Sequence, residues 1–293
     1  MRPRRVLRSA GILLVALGGL ILLFVAFQLW GTGILEAQHQ AVLRRRFETE
    51  LQQVHTQSKP RPARDPVQLG PIKEGQPIGI LDIPKISLNV VVVDGTSPSD
   101  LTLGPGLYFG SPMPGDKGNA AIAGHRTTFG APFFNLNELR PGDDIYITTL
   151  QGHFRFVVTG SLVVSPNDVA VVAPTSFPEL TLTTCDPPFS AADRLVVHAL
   201  LKGRFAPLLI AGPGGSRAVR TRVQVTEGLA GATSGWENTL GWGLGLAALT
   251  LAVWFFARRR RRHWLVYLAS VPLFVVPLFF FFEGINGLIP GSY

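Results

Sequence analysis

Three side chains in this sequence have the types and spacing of a nucleophile, a proton carrier and a fixed cation. Cys185 closes the run Leu180-Thr181-Leu182-Thr183-Thr184-Cys185, whose apolar and hydroxyl side chains read as a strand with one buried face. Asp186-Pro187-Pro188 stops that strand at once, because proline supplies no ladder N–H. The thiol is therefore expected at the mouth of a strand, held rigidly and still within reach of a ligand. Arg194 opens the next apolar run, Leu195-Val196-Val197, and the eight intervening residues can bring its guanidinium back towards the sulfur. His125 ends a third apolar run, Ala120-Ala121-Ile122-Ala123-Gly124. A thiolate attacks carbonyls through a covalent intermediate. An imidazole takes up and returns protons near neutral pH. A guanidinium never deprotonates, and its fork of donors suits an oxyanion or a substrate backbone.

The elements that must position these groups lie between segments of another kind. Arg2, Arg4, Arg5 and Arg8 precede twenty uncharged residues, Gly11 to Trp30, long enough to cross a bilayer core of ~30 Å. The run exceeds a signal-peptide h-region and lacks a clean small-residue cleavage site, so an uncleaved anchor is expected. Two further apolar runs, 240–257 and 264–282, flank Arg258 to Arg262 and His263. Because Lys and Arg mark cytoplasmic loops, the basic tail 1–10 and the loop 258–263 belong inside. Three spans then place 31–239 and the tail 283–293 outside. Nine of the arginines behind the net charge of +8 sit beside these spans, which argues against a nucleic-acid partner and for the membrane.

Residues 31–57 are rich in Glu, Gln, Arg, Leu and Ala, with Leu43, Phe47, Leu51 and Val54 at helical spacing. They are expected to form a stalk helix, or alternatively a dimerising one. A proline-bearing linker, 58–77, follows. Residues 78–204 carry short runs separated by Gly, Pro, Asp and Asn. The candidate strands are 78–83, 88–93, 120–124, 145–149, 153–159, 180–185 and 195–201, with one short helix over 99–103. This density of short strands predicts a mainly β fold, a closed barrel or sandwich. The stretch 205–239 reads as an extracytoplasmic tether, with a possible strand at 223–225.

Each candidate has a competitor. As the chain's one cysteine, in a segment placed outside, Cys185 is a buried inert thiol, an intermolecular disulfide partner or a working nucleophile. His198 is the rival proton carrier, but it lies within a strand. Arg126, next to His125, is expected to face the opposite way and to serve the surface. Thr184 is either a polar core residue or a contact to substrate backbone. No His, Cys and Asp residues stand at metal spacing, and Asp143-Asp144 reads as a turn cap. No metal or cofactor is expected.

Taken in order, Ile80-Leu81-Asp82-Ile83-Pro84-Lys85-Ile86, Ala123-Gly124-His125-Arg126, Leu139-Arg140-Pro141-Gly142-Asp143, Thr181-Leu182-Thr183-Thr184-Cys185 and Arg194 resemble the sortase family of cysteine transpeptidases. The run from Gly124 to Gly130, with eight residues between Cys185 and Arg194, is most similar to class E, then classes C and D. The resemblance covers about 78–201. It implies a closed β-barrel with His125, Cys185 and Arg194 as catalytic residues and Thr184 near the substrate. It implies attack between Thr and Gly of an LPXTG- or LAXTG-type C-terminal sorting signal, then transfer of the acyl group to an amine. The partners implied are surface proteins bearing such signals and a peptidoglycan-precursor or pilin amine. The C-terminal hairpin departs from the class E habit, and Asp65-Pro66-Val67 lacks the aromatic residue of a class C lid.

Overall fold

In a computed structural model of the chain, residues 3–57, 73–203, 236–259 and 263–288 are described. Most of the expected linker, including 65–67, the possible strand at 223–225, nearly all of the tether and the last five residues of the C-terminal tail lie outside them. The chain divides into two units, 1–29 with 230–291, and 30–229 with the last two residues.

The first unit is helical: α1 (Pro3–Ala26), α4 (Trp236–Arg258) and α5 (His263–Leu288). Gly243 and Gly284 let α4 and α5 approach closely; a Cβ at Gly243 would lie 3.1 Å from the Phe281 ring. Trp242 stacks on Phe280 at 4.9 Å, and Phe27 meets Phe279 edge-on at 5.2 Å. Apolar side chains such as Leu14, Leu244 and Val271 point outward. Two helical stretches, 18–53 and 239–258, are long and apolar enough to cross a membrane, and 269–285 is a shorter apolar one.

The second unit is a closed barrel with one helix laid against it. Strands β1 (Pro77–Ile83), β2 (Leu88–Asp94), β3 (Gly106–Leu107), β4 (Asn119–Ala123), β5 (Asp144–Thr149), β6 (Gly152–Val164), β7 (Glu179–Asp186) and β8 (Asp193–Lys202) close in the order β1-β2-β3-β4-β7-β8-β6-β5. Pairing is antiparallel except for β2–β3 and β4–β7, which are parallel. All seven candidate strands within 78–204 are present. The two-residue β3 is too short for periodicity to reveal. β6 runs five residues past the expected end at Thr159, because a register shift at Val158/Gly160 carries the ladder across a glycine. The short helix α3 (Pro98–Leu101) starts before its expected position: Ser97 caps it, with Asp100 completing a capping box. Leu81, Ile83, Ile122, Phe156, Leu182 and Val197 fill the interior. Asp143 does accept the Arg140 N–H at 2.8 Å, closing its turn.

Helix α2 (Thr32–Gln57) begins after a π-helical turn at Phe27–Gly31. Of its expected apolar stripe, Leu43 and Phe47 are buried. Leu43 packs with Val91 and Val93, and Phe47 is fully buried. β3 is too short to cover the β2 edge at Val91, and the Gln40 amide takes a strand's place there. Gln40 Oε1 accepts the Val91 N–H at 2.7 Å, and Nε2 donates to Val91 O at 3.0 Å and Leu103 O at 2.8 Å. Arg44 continues the row by donating to Asn89 O at 3.1 Å.

Candidate active site

Side-chain alternation along β4, β7 and β8 sends one set into the barrel and the other outward. Ile122, Leu180, Leu182, Leu195 and Val197 are core residues. The opposite set is therefore Ala121 and Ala123 on β4, Thr181, Thr183 and Cys185 on β7, and Arg194, Val196 and His198 on β8. Register arranges these in rows. Ala123 pairs with Thr183, and Thr183 with Val196. One row further, Cys185 lies directly opposite Arg194, a separation of ~4.5–5.5 Å between Cα atoms. The parallel ladder continues past β4 through the Gly124 N–H, which donates to Thr183 O at 3.1 Å. Cys185 and Arg194 thus form one cross-strand pair, and His125 follows two residues after the end of the neighbouring strand β4.

His125 and Cys185 are buried, with exposures of 4% and 3%. Thr128 Oγ1 lies 3.3 Å from His125 Nδ1, and the Phe129 ring leans on the imidazole with centroids 4.9 Å apart. Gly124 is required by packing: a Cβ there would stand 2.6 Å from the Phe133 ring. The Arg194 guanidinium donates to Ala191 O at 3.1 Å and Asp193 O at 3.0 Å, so it also holds the β7–β8 loop. Thr184 faces the barrel interior, and its hydroxyl donates to Gly124 O at 2.7 Å. That bond ties β7 to the residue before His125, and Thr184 also lines the groove on this side of the barrel.

The expectation of a surface role for Arg126 is overturned. Strand β4 ends at Ala123, so alternation no longer governs residue 126, and the side chain turns inward to 4% exposure. Its Nη1 donates to Cys185 O at 3.0 Å and forms a short ion pair with Asp186 Oδ1; Nη2 donates to Asn137 Oδ1 at 3.1 Å. Arg126 thereby clamps the strand end that presents the thiol. His198 is removed from contention as proton carrier. It lies two rows from Cys185, about 13 Å along the strand, with Nδ1 against Glu179 at 2.9 Å and Thr181 at 3.1 Å.

A groove runs over this outward face. Its floor is Ala123, Thr183, Val196 and Arg194, and its walls include Leu101 and Tyr108 on one side and Val169 and Val172 on the other. Asn119 Nδ2 anchors the second wall by donating to Ala173 O at 3.2 Å. Tyr108 Oη lies 3.0 Å from Thr183 Oγ1. Nothing in the sequence around Tyr108 marks it, since only the barrel topology brings it beside β7. Among the described residues, no group of three or more His, Cys, Asp or Glu could hold a metal ion.

Burial pushes the Cys185 thiol pKa up, while the charges of Arg194 and Arg126 pull it down less strongly. Since only the thiolate reacts, iodoacetamide alkylation of Cys185 is expected to rise with pH to a midpoint above that of an exposed cysteine. A midpoint at or below the ordinary value would mean that the two guanidinium groups outweigh burial.

A sequence profile described as the sortase domain matches residues 81–202, the barrel from β1 to β8. Sortase SrtE1 of Streptomyces coelicolor is 33% identical over 207 residues, which cover 65% of this chain and 55% of SrtE1. The chain thus spans about half the length of that relative. The sortase-family protein YwpE of Bacillus subtilis is 33% identical over 90 residues, covering 30% of this chain and 88% of YwpE. Among solved structures, a Clostridium perfringens sortase D5 transpeptidase is similar, with 30% identity and a TM-score of 0.47, over 58% of this chain and 99% of that one. A closed eight-stranded barrel with a cysteine and an arginine paired at one strand end defines the class, and the chain belongs to the sortase family.

Proposed function

We propose that this chain is a membrane-tethered cysteine transpeptidase of class E type, acting on C-terminal sorting signals of the LPXTG or LAXTG kind. The observation that carries the reading is the cross-strand pair of Cys185 and Arg194, with Arg194 lining an outward groove and His125 just past the end of the adjacent β4. Apolar walls from Leu101, Val169 and Val172 suit the first residues of such a signal, and the Thr183 and Tyr108 hydroxyls are placed to meet its polar part. Cys185 Sγ attacks the carbonyl between Thr and Gly, and His125 takes the thiol proton and passes it to the departing glycine amine. Arg194 donates to the oxygen that gains charge. The peptide C–N bond breaks and a thioester remains; an amine then attacks it, loses its proton to His125 and regenerates the thiol. Burial disfavours the Cys185 thiolate, and the charges of Arg194 and Arg126 oppose that effect in part.

The acceptor is an amine of a peptidoglycan precursor or of a pilin lysine, and the donors are surface proteins bearing the signal. The test is to incubate the full chain in detergent with LPXTG- and LAXTG-type peptides, with and without an added amine, following Cys185 by mass spectrometry. An acyl adduct resolved by the amine supports the transpeptidase. An adduct resolved equally by water makes the enzyme a hydrolase, and no adduct with any signal peptide overturns the reading.

The arginine segments support a three-span topology, with 1–10 and 258–263 inside and the barrel and C-terminal tail outside. In a Cys185→Ala background, single cysteines at Ser292 and Arg260 are expected to label from outside at Ser292 only. Labelling at Arg260 in intact cells would refute that arrangement.

A further inference from the structure

The loop that carries His125 does not rest on the barrel alone. Phe129, Gly130 and Ala131 have φ values of 48°, 71° and 46°, and two of these are non-glycine residues in the left-handed region, a conformation that persists only where the surroundings fix it. The fixing groups come from the first turn and a half of α2, nearly a hundred residues earlier. Thr32 Oγ1 accepts the Phe129 N–H at 3.1 Å. The Glu36 carboxylate lies against Gly130, where a Cβ would collide with it, and Gly33 meets the Gly130 backbone at van der Waals distance. Thr32 and Glu36 are both buried. Further along, the Gln40 amide and Leu43 fix α2 to β2, so this end of the helix is a firm support.

The support reaches the reacting group in one more step, because the Phe129 ring leans on the His125 imidazole at 4.9 Å and 39°. On the other side, Thr128 Oγ1 lies against Nδ1, and the His125 carbonyl accepts the Phe133 N–H at 3.1 Å. We propose that Thr32, at the start of α2, is a positioning residue for His125: it fixes the Phe129 backbone, and the Phe129 ring fixes the imidazole beside Cys185. The inference rests on the catalytic reading of His125 given above. It makes the helix before the barrel part of the active-site support, and its N-terminal residues part of the minimal active unit.

Proton transfer by a positioned side chain contributes ~10²–10⁴-fold to rate, so partial misplacement of the imidazole is expected to cost about tenfold in kcat. In the full chain, Thr32→Val keeps the shape and removes the acceptor. It is expected to lower kcat by that factor, with KM for the sorting peptide and Cys185 alkylation nearly unchanged, because neither the groove floor nor the thiol is touched. Thr32→Ser restores the hydroxyl and is expected to restore kcat. Diethyl pyrocarbonate modification of His125, followed by mass spectrometry, reads the imidazole without turnover and is expected to quicken several-fold in Thr32→Val. Phe129→Leu, which leaves the Thr32 bond and removes the ring contact, is expected to quicken it as well, and it carries the test if Thr32→Val does not fold. A wild-type chain that turns over while the folded variants match it in kcat and His125 reactivity overturns this inference alone. Equal losses in Thr32→Ser and Thr32→Val, or a loss confined to KM, overturn it too. If the wild-type chain never acylates, the proposed reaction fails, and His125 reactivity still decides the positioning role.

Discussion

Arg126→Met is expected to destabilise the barrel by about 3 kcal/mol, the lower end of what removing one partner of a buried ion pair costs. The lower end applies because Arg126 is buried to 4% exposure whereas the Asp186 side chain keeps 26% and can recover some hydration. The substitution leaves three acceptors without their donor: Cys185 O, the Asp186 carboxylate and Asn137 Oδ1. In a domain of this size the loss corresponds to a fall in Tm of roughly 6–12 °C. The second consequence is electrostatic. The Arg126 charge is one of two that oppose the effect of burial on the Cys185 thiol, so its removal is expected to move the alkylation midpoint further up and to slow alkylation at pH 7. Asp186→Asn in the same background removes the stranded carboxylate and is expected to recover part of the Tm but none of the alkylation shift. Unchanged Tm and alkylation in Arg126→Met would reduce the residue to a bystander.

Arg126 also shows where the sequence stops being readable. Alternation applies only while the ladder lasts, and β4 ends at Ala123, three residues before the side chain whose direction matters. For Cys185 and Arg194 the same rule holds, because both lie inside strands on either side of one short loop, and their pairing is local. His125 is legible as a strand-end histidine, but the parallel β4–β7 pairing that brings its strand alongside the one carrying Cys185 joins segments some sixty residues apart. Only the resemblance to a family supplies that in advance. The apolar stripe Leu43-Phe47 identifies a helix face without naming its partner. The partner is the β2 edge left bare by a β3 of two residues, a feature invisible to any periodicity. Tyr108 and Thr183 join the groove for a similar reason, as cross-barrel neighbours whose contact no local pattern encodes.

Arg194→Lys and Arg194→Ala are expected to lose comparable activity, each by about 10²–10³-fold in kcat/KM, the usual cost of removing a directed donor to a developing oxyanion. The expectation follows from where the guanidinium sits. Nη1 already donates to Ala191 O and Asp193 O, which fixes the plane of the fork on its own loop and leaves its remaining donors in the row of Cys185. A lysine ammonium is a point charge on a flexible stem, and it cannot satisfy those two carbonyls and aim at a substrate oxygen in one fixed plane. Lysine keeps the positive charge, so the electrostatic effect of Arg194 on the thiol is expected to survive in Arg194→Lys and to be lost in Arg194→Ala. The alkylation midpoint therefore separates the variants where turnover does not: near wild type for lysine, raised for alanine. Both should stay folded, because Arg194 stands near the start of β8 on the outward face and is not part of the core. Near-full kcat/KM in Arg194→Lys would leave the residue only its charge, and a collapse of Tm in both variants would make it a loop anchor. Either result would take Arg194 out of the proposed chemistry and leave transition-state stabilisation to backbone N–H groups around Cys185.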